Sequence, residues 1–290
     1  MTPSNSGLFI RHQDFQTRLK WHRLRRHPGD PLFSPAVMAD GFKLGASMEI
    51  DLRVRADGGF AVLHDEVLEG ETTGRGPVRE TVAGDFDGLM MLDGANPAML
   101  SEELAGLIAD AHPDALLQFD MKDGLDRIGE RGIDHLRDYF SGSLSRLIVS
   151  GSDLPLIIAL RQCMPDLKRG IDPTDKLVEI QRQDGWAAVE CELVADVGGP
   201  TEPETIYLSW QLLLHAAKNG LDLIGLCHRH GKVVDAWTYN LQAPEAGFTD
   251  PEWAEFSALM ALRPDQITTD GAPAMERAWL QRSGSAAPVI

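Results

Sequence analysis

The chain is 290 residues long and carries 27 Lys and Arg against 44 Asp and Glu, a formal charge of −17 at neutral pH. That balance argues against nucleic acid as a partner, since phosphates demand clustered cations, and against stable association with anionic membranes. With 43% hydrophobic and 24% charged residues, a disordered or collagen-like chain is excluded, and the length suits one α/β barrel.

Cys163, Cys191 and Cys227 are widely spaced in apolar surroundings, so buried, reduced thiols are expected and not a disulfide framework or metal motif. The first twenty residues hold no apolar leader and no 18-residue apolar run occurs, which gives a cytoplasmic protein as the expectation. The small-residue tail at 283–288 is expected to fray.

In chain order, strand-like runs fall at residues 19–23, 47–53, 60–64, 115–121, 146–150, 168–171, 187–193, 232–239 and 266–269. Helical spacing of apolar residues marks 101–111, 129–140, 154–164, 209–219 and 251–262. Asp153 before Leu154-Pro155, Asn219-Gly220, and Asp250-Pro251-Glu252 supply helix starts and a stop. Only the short turn at 54–59 separates the second and third runs, with Asp57-Gly58-Gly59 at its tip, which makes them a hairpin and not a parallel crossover. Setting aside the run at 60–64 leaves eight strands alternating with helices. The expected fold is therefore a TIM (β/α)8 barrel with a short extra β-hairpin after the second strand. It forms a single domain over residues 1–290 with its core at about 19–275.

Candidate chemistry sits at strand ends. In Met48-Glu49-Ile50-Asp51-Leu52-Arg53, Glu49, Asp51 and Arg53 share one strand face. Two carboxylates two residues apart in a buried strand need compensation, which one divalent cation (Mg²⁺, Ca²⁺ or Mn²⁺) would supply. An exposed edge strand is the alternative. The run at 60–64 ends in His64, and Asp120-Met121-Lys122 places an acid and a cation two apart. Trp21-His22-Arg23 adds a second histidine and a guanidinium able to clamp a phosphate. Together these are the parts of a metal-assisted phosphodiester cleavage. Cys227-His228-Arg229-His230-Gly231 reads as a polar loop before the strand that carries Trp237.

In order and spacing, these segments resemble the glycerophosphodiester phosphodiesterase family. The motifs carrying the resemblance are His22-Arg23, Glu49-x-Asp51, His64-Asp65, Thr72-Thr73-Gly74-Arg75-Gly76, Asp120-x-Lys122, Trp237-Thr238-Tyr239-Asn240 and Thr269-Asp270. The resemblance covers roughly residues 19 to 275. It implies a TIM barrel and hydrolysis of a small-molecule phosphodiester, such as a glycerophosphodiester of lipid metabolism, to an alcohol and glycerol phosphate. It further implies a divalent metal on Glu49, Asp51 and Asp120, acid and base roles for His22 and His64, phosphate contacts from Arg23 and Lys122, and Trp237 against the alcohol. The sequence departs from the family at four places. Leu24 replaces a glycine, the loop at 24–36 is rebuilt, Asp120 stands where Glu is usual, and Gly70-Glu71 replaces an arginine and adds negative charge at the mouth. These leave open a sugar phosphodiester of the agrocinopine type as substrate, or a non-catalytic module that binds a phosphate ligand.

Overall fold

Among the described residues ten strands form one sheet: β1 (Phe9–His12), β2 (Phe15–Trp21), β3 (Ser47–Val54), β4 (Phe60–Val62), β5 (Leu116–Met121), β6 (Leu147–Ser150), β7 (Lys168–Ile171), β8 (Thr205–Ser209), β9 (Val233–Trp237) and β10 (Gln266–Thr269). The computed structural model describes residues 6–284, so most of the tail expected to fray lies outside the described residues. Neighbours run β2-β10-β9-β8-β7-β6-β5-β3, and a β2–β3 pairing closes the ring into an eight-stranded parallel TIM barrel. β4 pairs antiparallel with β3, Leu52 opposite Val62, and is the extra strand expected from the short turn. β1 lies antiparallel on β2 as a second strand outside the ring, which the sequence analysis did not anticipate.

Ten helices cover the strands among the described residues: α1 (Pro35–Leu44), α2 (Ser101–Ile108), α3 (Leu125–Phe140), α4 (Leu154–Cys163), α5 (Thr174–Asp184), α6 (Trp186–Val197), α7 (Trp210–Lys218), α8 (Leu223–Arg229), α9 (Asp250–Ala261) and α10 (Ala272–Ser283). The caps read from sequence are present. Asp153 accepts from Leu156 N, and Gly220 takes a φ of 81° after α7. Thr249 and Glu252 close a capping box ahead of α9.

The ring count of eight was right with one wrong member. Residues 187–193, expected as a strand, lie inside α6, where Val189 and Leu193 are fully buried one helical turn apart. The missing barrel strand is β8, whose Thr-Ile-Tyr-Leu-Ser run is rich in β-branched and aromatic residues but only five long. The segment 227–231 is also corrected, because Cys227 to Arg229 end helix α8.

Contacts divide the chain into two compact units, residues 1–22, 26–28 and 172–290, and residues 23–25 and 29–171. In the first, Lys20 and Asp235 form an ion pair of 2.7 Å with both side chains at most 2% exposed. Thr268 Oγ1 donates to the same carboxylate at 2.8 Å, Gln266 Nε2 donates to it as well, and the Tyr207 ring lies 4.5 Å from the ammonium. A buried pair broken on one side costs about 3–5 kcal/mol, so these partners keep the interior charges matched. In the second unit, both faces of β3 are buried: Met48, Ile50 and Leu52 on one, Glu49 and Asp51 on the other. An exposed edge strand is therefore ruled out for Glu49 and Asp51.

The cysteines depart from expectation. Only Cys227 is buried, while Cys163 and Cys191 sit exposed on α4 and α6. Burial pushes the Cys227 thiol up to about 12. We expect a thiol-disulfide reagent at pH 8 to titrate two thiols per native chain, with the third reacting only after unfolding. Three fast thiols in the native state would contradict this placement.

Candidate active site

Most of the predicted site residues lie late in a barrel strand or just past its end, where barrel enzymes carry their chemistry, whereas Glu49 is the third residue of β3 and His64 follows the antiparallel β4. His22 and Arg23 follow β2, and Glu49 and Asp51 lie in β3. Asp120 and Lys122 flank the end of β5, His64 follows β4, and Trp237 is the last residue of β9.

Within the second unit, Glu49, Asp51 and Asp120 each offer an oxygen lying within 4.8 Å of the others. Strand register explains this, since Asp51 is the direct partner of Asp120 across β3–β5. Burial first, and then the charges of Asp51 and Asp120, push the Glu49 carboxyl well above the usual carboxylate range. Burial would raise Asp51 too, but Lys122 and Arg23 outweigh it and hold this carboxyl below its ordinary value. Lys122 Nζ stands 2.8 Å from Asp51 Oδ1 and also donates to Asp120. Although burial opposes the ammonium, Asp120 and Asp51 keep Lys122 protonated above its ordinary range.

Asp120, one methylene shorter than the usual glutamate, is held in the cluster by Ser150 Oγ, which donates to Oδ1 at 2.8 Å. Gln118 Nε2 in turn donates to Ser150 Oγ at 2.7 Å. Both supports lie on strands adjacent in the sheet, and neither was singled out in the sequence.

Arg23 takes φ 50° and ψ 39°, and Leu24 φ 59°, so two successive non-glycine residues occupy the left-handed region. That bend lets Arg23 N donate to Glu49 Oε2 at 2.9 Å. The Arg23 Nε is 3.0 Å from Asp51 Oδ2, yet neither atom has an aligned hydrogen-bond partner. Clustered buried carboxylates, with Asp51 Oδ2 lacking an aligned donor and Glu49 held against its charged form, are a donor set that fits a hard divalent cation.

His64 is 40% exposed, with Nδ1 3.0 Å from Asp65 Oδ1. Its backbone N and that of Asp65 both donate to Glu71 Oε2, at 2.7 and 2.9 Å. Glu71 is only 8% exposed. The expectation that Gly70-Glu71 adds negative charge at the mouth is therefore corrected, because this carboxylate is turned inward onto the His64 backbone.

In the first unit, His22 Nδ1 lies 2.8 Å from Asp270 Oδ1. Asn240 Nδ2 donates to Asp270 Oδ2 at 2.7 Å, and Asn240 Oδ1 accepts from Asp270 N at 2.8 Å. Asp270 and Asn240 thus act as positioning groups for His22. Both stood in the quoted motifs, but without a role. Beside Asp270 is a cavity of about 190 Å³ lined by Pro28, Asn240, Gln242 and Thr269, large enough for a small alcohol. Trp237 is half-buried, and its indole Nε1 has no hydrogen-bond partner among the described residues.

No family model matches the sequence. No curated protein matches it either. Solved structures do match. A glycerophosphoryl diester phosphodiesterase from Parabacteroides distasonis is 16% identical, with 96% of this chain and 90% of that chain covered and a TM-score of 0.64. A glycerophosphodiester phosphodiesterase from Agrobacterium tumefaciens is 17% identical over 90% and 99% of the two chains, with a TM-score of 0.62. An Oleispira antarctica phosphodiesterase in complex with the product sn-glycerol-3-phosphate is 15% identical over 90% and 95%, with a TM-score of 0.64. At these identities the likeness establishes the fold: this chain is built as a TIM barrel of the kind found in the solved glycerophosphodiester phosphodiesterases.

Proposed function

We propose that the protein is a phosphoric diester hydrolase acting on a small glycerophosphodiester, with a single catalytic domain over residues 1–290. The observation that carries this reading is the cluster of Glu49, Asp51 and Asp120 within 4.8 Å, beside Arg23 and Lys122. The solved phosphodiesterases of the same fold support it. A divalent cation held by the three carboxylates would stabilise the charge that builds on a phosphate oxygen.

The remaining steps belong to the chain's own side chains. Arg23 and Lys122 orient and neutralise the phosphate. A substrate hydroxyl next to the phosphate attacks phosphorus, giving up its proton to one histidine as the new P–O bond forms. The other histidine protonates the departing alkoxide as the old P–O bond breaks. Water then opens the cyclic phosphate with the two histidines in exchanged roles. Asp270 fixes the orientation of the His22 ring at 2.8 Å, and Asp65 faces His64 Nδ1 at 3.0 Å. Trp237, half-buried at the end of β9, lines the pocket and faces the alcohol part of the substrate.

The test is turnover of glycerophosphocholine, glycerophosphoethanolamine and sugar-linked diesters with Mg²⁺, Mn²⁺, Ca²⁺ or EDTA. The expected result is metal-dependent cleavage of a glycerol diester, abolished by EDTA and by removal of the neighbouring hydroxyl. Preference for a sugar diester would move the substrate class, and tight binding without turnover would leave a binding module.

A further inference from the structure

The His64 side chain and its partner Asp65 are both about two-fifths exposed, at 40% and 42%, so their mutual contact fixes neither in place. β4 ends at Val62, two residues earlier, and no strand ladder extends to His64. What holds the segment is charge applied to its backbone. One carboxylate oxygen, Glu71 Oε2, accepts from the amides of both His64 and Asp65. On the other side of the same residue, Arg53 Nε donates to the His64 carbonyl at 2.8 Å. Arg53 Nη1 also donates to the Lys122 carbonyl at 3.1 Å, so one planar guanidinium ties two site residues together.

The Arg53 side chain is itself fixed, and that of Glu71 is buried. Arg53 is 12% exposed and pairs with buried Asp123, whose other oxygen accepts from Val54 N at 2.9 Å. Gly70 lies against the Asp65 carboxylate so closely that a Cβ there would overlap it. Gly70-Glu71, a departure from the family pattern, thus becomes the seat of His64-Asp65. Hydrogen bonds to ionised groups are about twice as strong as neutral ones, and more so away from water.

We propose that Glu71 and Arg53 form a clamp of opposite charges on the His64 backbone that positions this histidine, and through Arg53 also Lys122, for proton transfer and phosphate binding. The proposal rests on the phosphodiesterase reading for its catalytic half. Neither residue touches substrate in this scheme, so both are positioning residues.

The test combines amide hydrogen exchange of the metal-free protein with steady-state kinetics. Variants are Glu71→Ala, Glu71→Gln, Arg53→Met, Arg53→Lys, and the double variant His64→Ala with Glu71→Ala. Glu71→Ala should speed exchange at the His64 and Asp65 amides at least about tenfold and lower kcat by about 10- to 100-fold, with KM within about twofold, as misplaced catalytic groups do. Glu71→Gln and Arg53→Lys, which keep an acceptor or a donor, should recover most of each loss. The double variant should be no slower than His64→Ala alone, because the clamp acts through that histidine.

Unchanged exchange at both amides overturns the clamp. Faster exchange with unchanged kcat, or losses that multiply in the double variant, overturn its catalytic role. A wild type that cleaves no diester but shows the exchange effect overturns the phosphodiesterase reading and the catalytic half with it, leaving the clamp itself established.

Discussion

Glu49→Gln and Asp51→Asn are each expected to reduce metal-dependent diester turnover by about 10³-fold or more, yet to move the stability of the metal-free protein in opposite directions. The shared loss follows from the cluster geometry, where each residue contributes one of three oxygens within 4.8 Å. Several kcal/mol of transition-state stabilisation is at stake, and each ~1.4 kcal/mol is tenfold in rate. The split in stability follows from the neighbours. Glu49 is buried beside Asp51 and Asp120 and resists ionisation, so a neutral amide relieves repulsion, and the thermal midpoint in EDTA should hold or rise. Asp51 favours its charged form because Lys122 and Arg23 face it, so its amide leaves two cations under-compensated and the midpoint should fall. Calorimetric titration with Mn²⁺ should show weakened binding in both variants. Retained turnover in Glu49→Gln with unchanged Mn²⁺ affinity would remove the three carboxylates from the mechanism.

Where the sequence was legible, local pattern and tertiary role coincided. Glu49 and Asp51 read as a site because two acids alternate with Met48, Ile50 and Leu52 in a strand too apolar to face water, and the structure buries both faces. The hairpin read correctly because its turn is too short for a crossover. The run at 187–193 failed because small apolar residues suit helix or strand, and only the four-residue spacing of Val189 and Leu193 carried the helical signal. Residues that hold the site were illegible for another reason. Asp270 lies 248 residues from His22, and Ser150 lies 30 from Asp120, so no local period records either contact. Glu71 was misread because sequence gives a charge but not its direction.

Leu24 shows how a departure can preserve geometry. The glycine of the family pattern occupies the position that here takes φ 59° with a leucine whose side chain is fully buried. A left-handed residue costs roughly 1–2 kcal/mol, while burying a leucine returns about 1.5–3 kcal/mol. The two nearly balance, and the bend that brings Arg23 N to Glu49 survives without glycine. The rebuilt loop therefore starts from a backbone that still reaches Glu49.

His22→Ala should lower kcat by about 10²- to 10⁴-fold, the usual contribution of a positioned acid or base, while leaving Mn²⁺ affinity unchanged. His22 is not one of the three carboxylates that form the cluster, and the backbone bond from Arg23 N to Glu49 does not need its imidazole. Asp270→Asn keeps size and shape but removes the charge 2.8 Å from Nδ1, so it should cost about 10²-fold through a misoriented ring. Asn240→Ala frees Asp270 from its amide and should cost less, about tenfold, because the carboxylate itself remains. The three losses should not multiply. In a His22→Ala background, Asp270→Asn and Asn240→Ala should add little, since both act by holding a ring that is no longer there. A full further loss in that background would show that Asp270 contacts the substrate directly, and the dyad would then have to be redrawn as two independent groups.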